Sequence, residues 1–233
     1  MGYGYGMYFD STYILVLIGA IISIWASARV KSTFNKYAKV RSMSGMTGAQ
    51  VARRILDQNG LYEVGVEHIG GTLSDHYDPR TKMVRLSDST YGANSVAAVG
   101  VAAHECGHAL QHKEEYVPLR IRSAIVPAAN IGSKLGMPII ILGVLLSYNY
   151  FLIQVGIWVF SLAVLFQLVT LPVEFNASTR ALKMLEGYGI LGNGEVRGSR
   201  KVLSAAAMTY VAAAAASILQ LLRLVMLFGR RRD

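Results

Sequence analysis

Hydrophobic positions in this chain follow two patterns, long apolar runs and, between the first two of them, a segment of shorter amphipathic or alternating stretches. Tyr13 to Val30 is apolar until Arg29, long enough at about 1.5 Å per residue to cross a hydrocarbon core of about 30 Å. Leu119 to Gly136 carries Arg120, Arg122 and Lys134 among apolar residues, which predicts that it begins at the membrane surface, the span continuing through Met137 to Ser147. Ser147-Tyr148-Asn149-Tyr150 has no positive charge and suits an outer turn, and Phe151 to Leu171 supplies a long return run. Together these predict a transmembrane hairpin, with Pro172 as a break or kink at its returning end. Ala205 to Phe228 is again apolar and alanine-rich, although Arg223 interrupts it and Arg230-Arg231-Arg232 follows it.

The segment between the first two runs reads as an aqueous part. Thr47 to Asn59 predicts an amphipathic helix, with Thr47 and Gln50 at capping-box spacing, Val51, Ile55 and Leu56 on one side, and Gly60 just past its end. Tyr62 to His68 alternates around Val64 and Val66, and Met83 to Leu86 follows the turn residues Asp78-Pro79, so a small sheet is expected. An edge strand can hold an extended peptide by backbone pairing, which makes Met83, Val84 and Arg85 candidates for a substrate edge; a plain packing hairpin is the alternative. Asn94 to Lys113 is proline-free, alanine-rich and punctuated by Val96, Val99, Val101 and Leu110, a helix that Asn94 or Ser95 can cap.

Composition fits the pattern. Of 233 residues, 53% are hydrophobic and only 16% charged, with a mean hydropathy of +0.38, too apolar for an ordinary soluble domain and typical of a membrane protein. The net charge of +9 does not indicate nucleic acid, because the basic residues flank apolar runs and no aromatic-basic stacking pattern accompanies them. Lys31, Lys36, Lys39, Arg41, Arg53 and Arg54 after the first run place its C-terminal side in the cytoplasm. Ala26-Ser27-Ala28 resembles a signal-peptidase site, but no positive region precedes the run, so a retained anchor is expected. Met1 to Phe9, rich in glycine and tyrosine, reads as a short tail at an interface. The expected organisation is one unit over 1–233: a span at 13–30, an aqueous part at 31–118, a surface helix and hairpin at 119–171, a segment and loop at 172–204, and a transmembrane or membrane-packed helix at 205–228. The single cysteine, Cys106, excludes an internal disulfide and reads as a small buried side chain.

The candidate chemistry lies in His104-Glu105-Cys106-Gly107-His108. In a helix, histidines four apart share a face and hold one Zn²⁺ together, with the glutamate placed as general base toward a metal-bound water. A catalytic zinc commonly takes three protein ligands and a water. Two crossings between His108 and Glu174 return Glu174 to the histidines' side of the membrane, which makes it the third-ligand candidate, the alternative being a carboxylate near a helix start. His112 lies one turn further along the same face and reads as a polar helix-end residue, while His68 and His76 read as structural or surface residues.

With HECGHALQH at 104–112, LPVEFNAS at 171–178 and DHYDPRTKMVRLS at 75–87, the chain resembles the bacterial membrane-bound neutral zinc metallopeptidases of the YugP family over nearly its whole length. The resemblance implies a mainly α, multi-pass membrane protein with a gluzincin-like α+β zinc-peptidase domain on the cytoplasmic face. It also implies one catalytic Zn²⁺ per chain, held by His104, His108 and Glu174, and peptide-bond hydrolysis. Relatives often carry an acidic residue four positions after the ligand glutamate; here Ser178 stands there, leaving its work to Asn176 or water. Arg180 and Tyr188, downstream of Glu174, are candidates for stabilising the oxyanion. The expected partners are the lipid bilayer, a polypeptide substrate, and a membrane protein partner or second copy, with no nucleic acid. The alternative function is a metal-binding membrane scaffold with little turnover; a transporter is weaker still, because paired charges within the spans are lacking apart from Arg223.

Overall fold

The computed structural model describes residues Asp10 to Gly229. The expected interfacial tail Met1 to Phe9 and the Arg230-Arg231-Arg232 flank lie outside the described residues. In chain order the elements are α1 (Tyr13–Ala38), α2 (Gly48–Gln58), β1 (Gly65–Ile69), β2 (His76–Asp78), β3 (Met83–Ser87), α3 (Val96–Lys113), α4 (Val117–Leu145), α5 (Tyr150–Gly187) and α6 (Asn193–Phe228). The protein is thus mainly helical with one small sheet, and α1, α4, α5 and α6 are each long and apolar enough to cross a membrane.

Local signals set the ends of the short helices. Thr47 caps α2 by accepting from the Gln50 N–H, and the Gln50 side chain accepts from the Thr47 N–H, completing the capping box. Ser95, rather than Asn94, caps α3 by accepting from the Ala98 N–H. The long helices continue through their prolines. α4 contains Pro127 and Pro138, and α5 runs unbroken through Pro172, where the sequence predicts a break or kink. A proline removes one N–H from a helix ladder, and buried Thr170 and Val173 flank Pro172 where the helix continues. Likewise α6 begins at Asn193, so Gly194, Arg197, Arg200 and Lys201 are helical rather than part of a loop.

The sheet has the order β1-β3-β2, with β1 parallel and β2 antiparallel to β3. β3 is therefore the central strand: Met83, Val84 and Arg85 are paired with Gly65 to Glu67 on one side and with Asp78 to His76 on the other. This corrects their reading as a substrate edge, since a strand whose backbone is paired on both sides has no free ladder to offer a peptide. The edges are β1 and β2.

The described chain divides into two units. Of the described residues, one contains Ile125 to Leu168 together with Asp10 to Trp25 and Val211 to Gly229. Its helices meet through glycines, Gly136 against Phe160 and Gly156 against Ile140, where an added Cβ would come within 2.8 and 2.5 Å of the neighbour. Ile14, Leu17, Ile21, Ile24 and Trp158 are exposed on it, as a lipid-facing surface requires. Arg223, which interrupts the last apolar run, lies 3.4 Å from Asp10 and 4.4 Å over the Tyr13 ring. The other unit contains Ala26 to Ala124 and Val169 to Tyr210. Its core surrounds α3: Val99, Ala102, Ala103, Cys106 and Leu110 pack with Ile55 and Leu56 of α2, Val84 and Leu86 of β3, Leu185 of α5 and Leu203 of α6.

Candidate metal centre

The second unit holds the candidate site. His104 and His108 stand one turn apart on α3 with ring centroids 4.7 Å apart at 84°. Facing them from α5 is Glu174, whose Oε2 lies 3.3 Å from His104 Nε2 and 3.6 Å from His108 Nε2. One donor atom from each of the three lies within 4.8 Å of the others. The helices approach this closely because Gly107, between the two histidines, lacks a side chain: a Cβ there would come 2.6 Å from the Ala177 carbonyl oxygen. A glycine in a helix interior costs about 0.5–1 kcal/mol relative to alanine, and here it is what lets α3 meet the backbone of α5 three residues past Glu174. Gly107→Ala is expected to destabilise the protein by about 1–3 kcal/mol, the usual cost of overpacking, and to weaken metal binding as the helices separate; an unchanged melting temperature with unchanged zinc affinity would contradict this packing.

The outer nitrogens of both rings are held. Gln111 is fully buried, and its amide nitrogen donates to the Val173 carbonyl at 2.8 Å and to Asn176 Oδ1 at 2.9 Å. The amide oxygen is thereby turned to His108 Nδ1, 3.0 Å away, where it accepts the Nδ1 proton and leaves Nε2, on the Glu174 side, as the nitrogen available to a cation. His104 Nδ1 lies 3.2 Å from the Ser178 hydroxyl, which can accept the same way. Glu174 is almost completely buried, and its Oε2 has no hydrogen-bond partner. Three lone pairs therefore converge on one buried point, an arrangement that a divalent cation satisfies and that fixes the metal-binding tautomers. Without a cation a proton meets the same need: burial acts to lower the affinity of His108 for protons, but the adjacent Glu174 carboxylate and the charge of Glu105 reverse this and raise it, so metal binding here displaces protons.

Glu105 lines a cavity of about 230 Å³ together with His104, Glu174, Ser178 and Tyr210. Burial pushes its carboxyl above the usual carboxylate range, against the opposing influence of His104 and His108. Val30, Leu73, Val101, Leu203, Ala206 and Ala207 give the cavity apolar lining, and Asp75 and Thr209 add polar lining. The arrangement offers a metal position, an acid–base carboxylate and apolar lining in one space.

Residues 12–229 match the model of a family described as "Putative neutral zinc metallopeptidase". The chain belongs to this family. A Bacillus subtilis (strain 168) protein described as "Putative membrane protease YugP" is 53% identical over 222 residues, covering 95% of this chain and 98% of that protein. No solved structure matches the chain. Membership of the zinc metallopeptidase family implies zinc as the metal, and the two imidazoles and one carboxylate are a donor set that fits it.

Other sequence candidates are placed elsewhere. Arg180 pairs with Glu114 at 2.6 Å and donates to Asn176 at 2.7 Å, and Tyr188 donates to Asn59 at 3.2 Å; neither lines the cavity. His112 accepts from or donates to the Tyr77 hydroxyl at 2.9 Å, at the end of α3. His68 pairs with Asp88 at 2.7 Å, at the surface. Cys106 is buried in the core, its thiol directed to the Ala52 carbonyl. The nearest contacts of the outer ring nitrogens are Ser178 for His104 and Gln111 for His108, with Asn176, expected beside water to stand in for the acidic residue, in contact with Gln111. Gln111, Tyr210 and Arg122, whose Nη1 lies 3.4 Å from Glu174 Oε1, went unassigned as site residues. A signal for Gln111 was present: it lies three positions after His108, on the same helix face.

Proposed function

We propose that the protein is a zinc-dependent membrane endopeptidase that hydrolyses peptide bonds of membrane or membrane-proximal proteins. The observation that carries this reading is the convergence of His104 Nε2, His108 Nε2 and the partnerless Glu174 Oε2 beside a cavity that Glu105 also lines. One zinc ion held by these three residues supplies Lewis acidity, polarising a carbonyl and making a water acidic enough to lose its proton near neutral pH. Glu105 takes that proton as the oxygen–carbon bond forms, and delivers it to the amine as the carbon–nitrogen bond breaks. Ser178 and Gln111 keep the imidazoles in the tautomer that ligation needs. The apolar lining of the cavity, from Val30, Val101, Leu203, Ala206 and Ala207, suits an aliphatic side chain next to the scissile bond. We place this gluzincin-like site on the cytoplasmic face, because Lys31, Lys36, Lys39 and Arg41 follow the apolar part of α1 and because the pair α4 and α5 returns Glu174 to the side of α3. The bilayer and a polypeptide substrate are its partners.

The test uses the full chain purified in detergent, with zinc quantified and a peptide mixture analysed for cleavage by mass spectrometry. Cleavage is expected to disappear on chelation and to return when zinc is added back. Stoichiometric zinc without cleavage of any peptide or membrane substrate would favour the scaffold, and absence of zinc binding would remove both readings.

A further inference from the structure

Arg122 reads from sequence as a basic residue at the membrane surface, yet its guanidinium reaches the carboxylate of Glu174. The two oxygens of that carboxylate have different partners. Oε2 faces His104 and His108, at 3.3 and 3.6 Å, while Oε1 accepts from Arg122 Nη1 at 3.4 Å. The Glu174 side chain is 3% exposed, so water has little access to Oε1, and a buried carboxylate oxygen without a donor is costly. A carboxylate is symmetric about its terminal torsion and can offer either oxygen, or both, to a cation. A permanently charged guanidinium beside one oxygen biases that choice toward presenting the other.

We propose that Arg122 is a positioning residue for the metal site: it holds Glu174 Oε1 so that Oε2 alone is presented with the two imidazoles. This rests on the reading of Glu174 as a metal ligand. Two effects of Arg122 on zinc oppose each other. Its positive charge near a cation weakens binding, whereas its hold on Glu174 strengthens it, so the sign of the change on removing it decides between a bystander charge and a positioning role.

Zinc affinity is measured by competition with a chromophoric chelator for the full-length wild type, Arg122→Ala, Arg122→Lys and Glu174→Ala. Arg122→Ala is expected to weaken zinc by roughly 10–100-fold, the usual effect of losing an outer partner of a ligand, and added guanidinium ion is expected to restore part of the loss. Arg122→Lys, which keeps the charge without the planar fork, is expected to fall between Arg122→Ala and wild type. Unchanged or tighter zinc in Arg122→Ala, a loss that guanidinium does not reverse, or an Arg122→Lys protein equal to wild type overturns the proposal. Wild-type affinity in Glu174→Ala instead removes the ligand assignment itself, so the two failures are distinct.

Discussion

Glu105→Gln is expected to abolish peptide hydrolysis while leaving zinc in place. Glutamine has nearly the shape of glutamate and fits the same buried position, where Glu105 is 7% exposed, but its amide cannot accept a proton from the attacking water. General-base catalysis contributes about 10²–10⁴-fold to such reactions, and kcat should fall by at least that factor. His104, His108 and Glu174 are untouched, so zinc content should match wild type. Removing a buried carboxyl whose ionisation is disfavoured by its surroundings should not destabilise the fold. The comparison needs the two purified proteins, a peptide substrate and a metal assay; equal turnover would eliminate Glu105 as the base. Comparing membrane proteins in cells carrying wild type or Glu105→Gln would extend this to the natural substrate, since a protein that accumulates only with the variant is a substrate candidate.

Glu174→Ala should affect the metal first and activity as a consequence. Loss of an outer partner costs a site roughly 10–100-fold in affinity, and loss of a ligand should exceed that range. The metal-free protein should also lose some stability, because Oε2 faces His104 and His108 at 3.3 and 3.6 Å and Oε1 accepts from Arg122, and these contacts disappear with the carboxylate. A zinc titration and a thermal melt of metal-free protein separate the two effects. Stoichiometric zinc with activity in the variant would exclude Glu174 as third ligand, whereas collapse of the apo-protein would show that the carboxylate is needed for folding as well.

Much of this architecture is legible locally. The capping box of α2, the proline-free α3 and the apolar lengths of α1, α4, α5 and α6 depend on neighbours within a few positions, so propensity and periodicity predict them. The spacing of His104 and His108 is likewise a property of one helix. Where prediction failed, the deciding contact lay outside the segment's own pattern. β2, three residues in the turn-rich stretch before Pro79, has no pattern of its own and forms because β3 lies beside it; its presence is what makes β3 central and removes Met83 to Arg85 from consideration as a substrate edge. Gly194 and the basic residues after it suggest a loop, but burial of Val196, Val202 and Leu203 holds that stretch as helix.

The sequence by itself determined that this is a membrane protein with a two-histidine, one-glutamate helix motif, because composition, helix length and four-residue spacing are written along the chain. It also made Glu174 a candidate, by counting crossings. The tertiary structure decided which oxygen of Glu174 faces the histidines, that Gly107 is the point of contact between α3 and α5, and that Ser178, Gln111 and Arg122 hold the donors. Those facts depend on the rotation and separation of helices far apart in sequence, and a hydrogen bond of about 3 Å is set by that placement rather than by any local pattern.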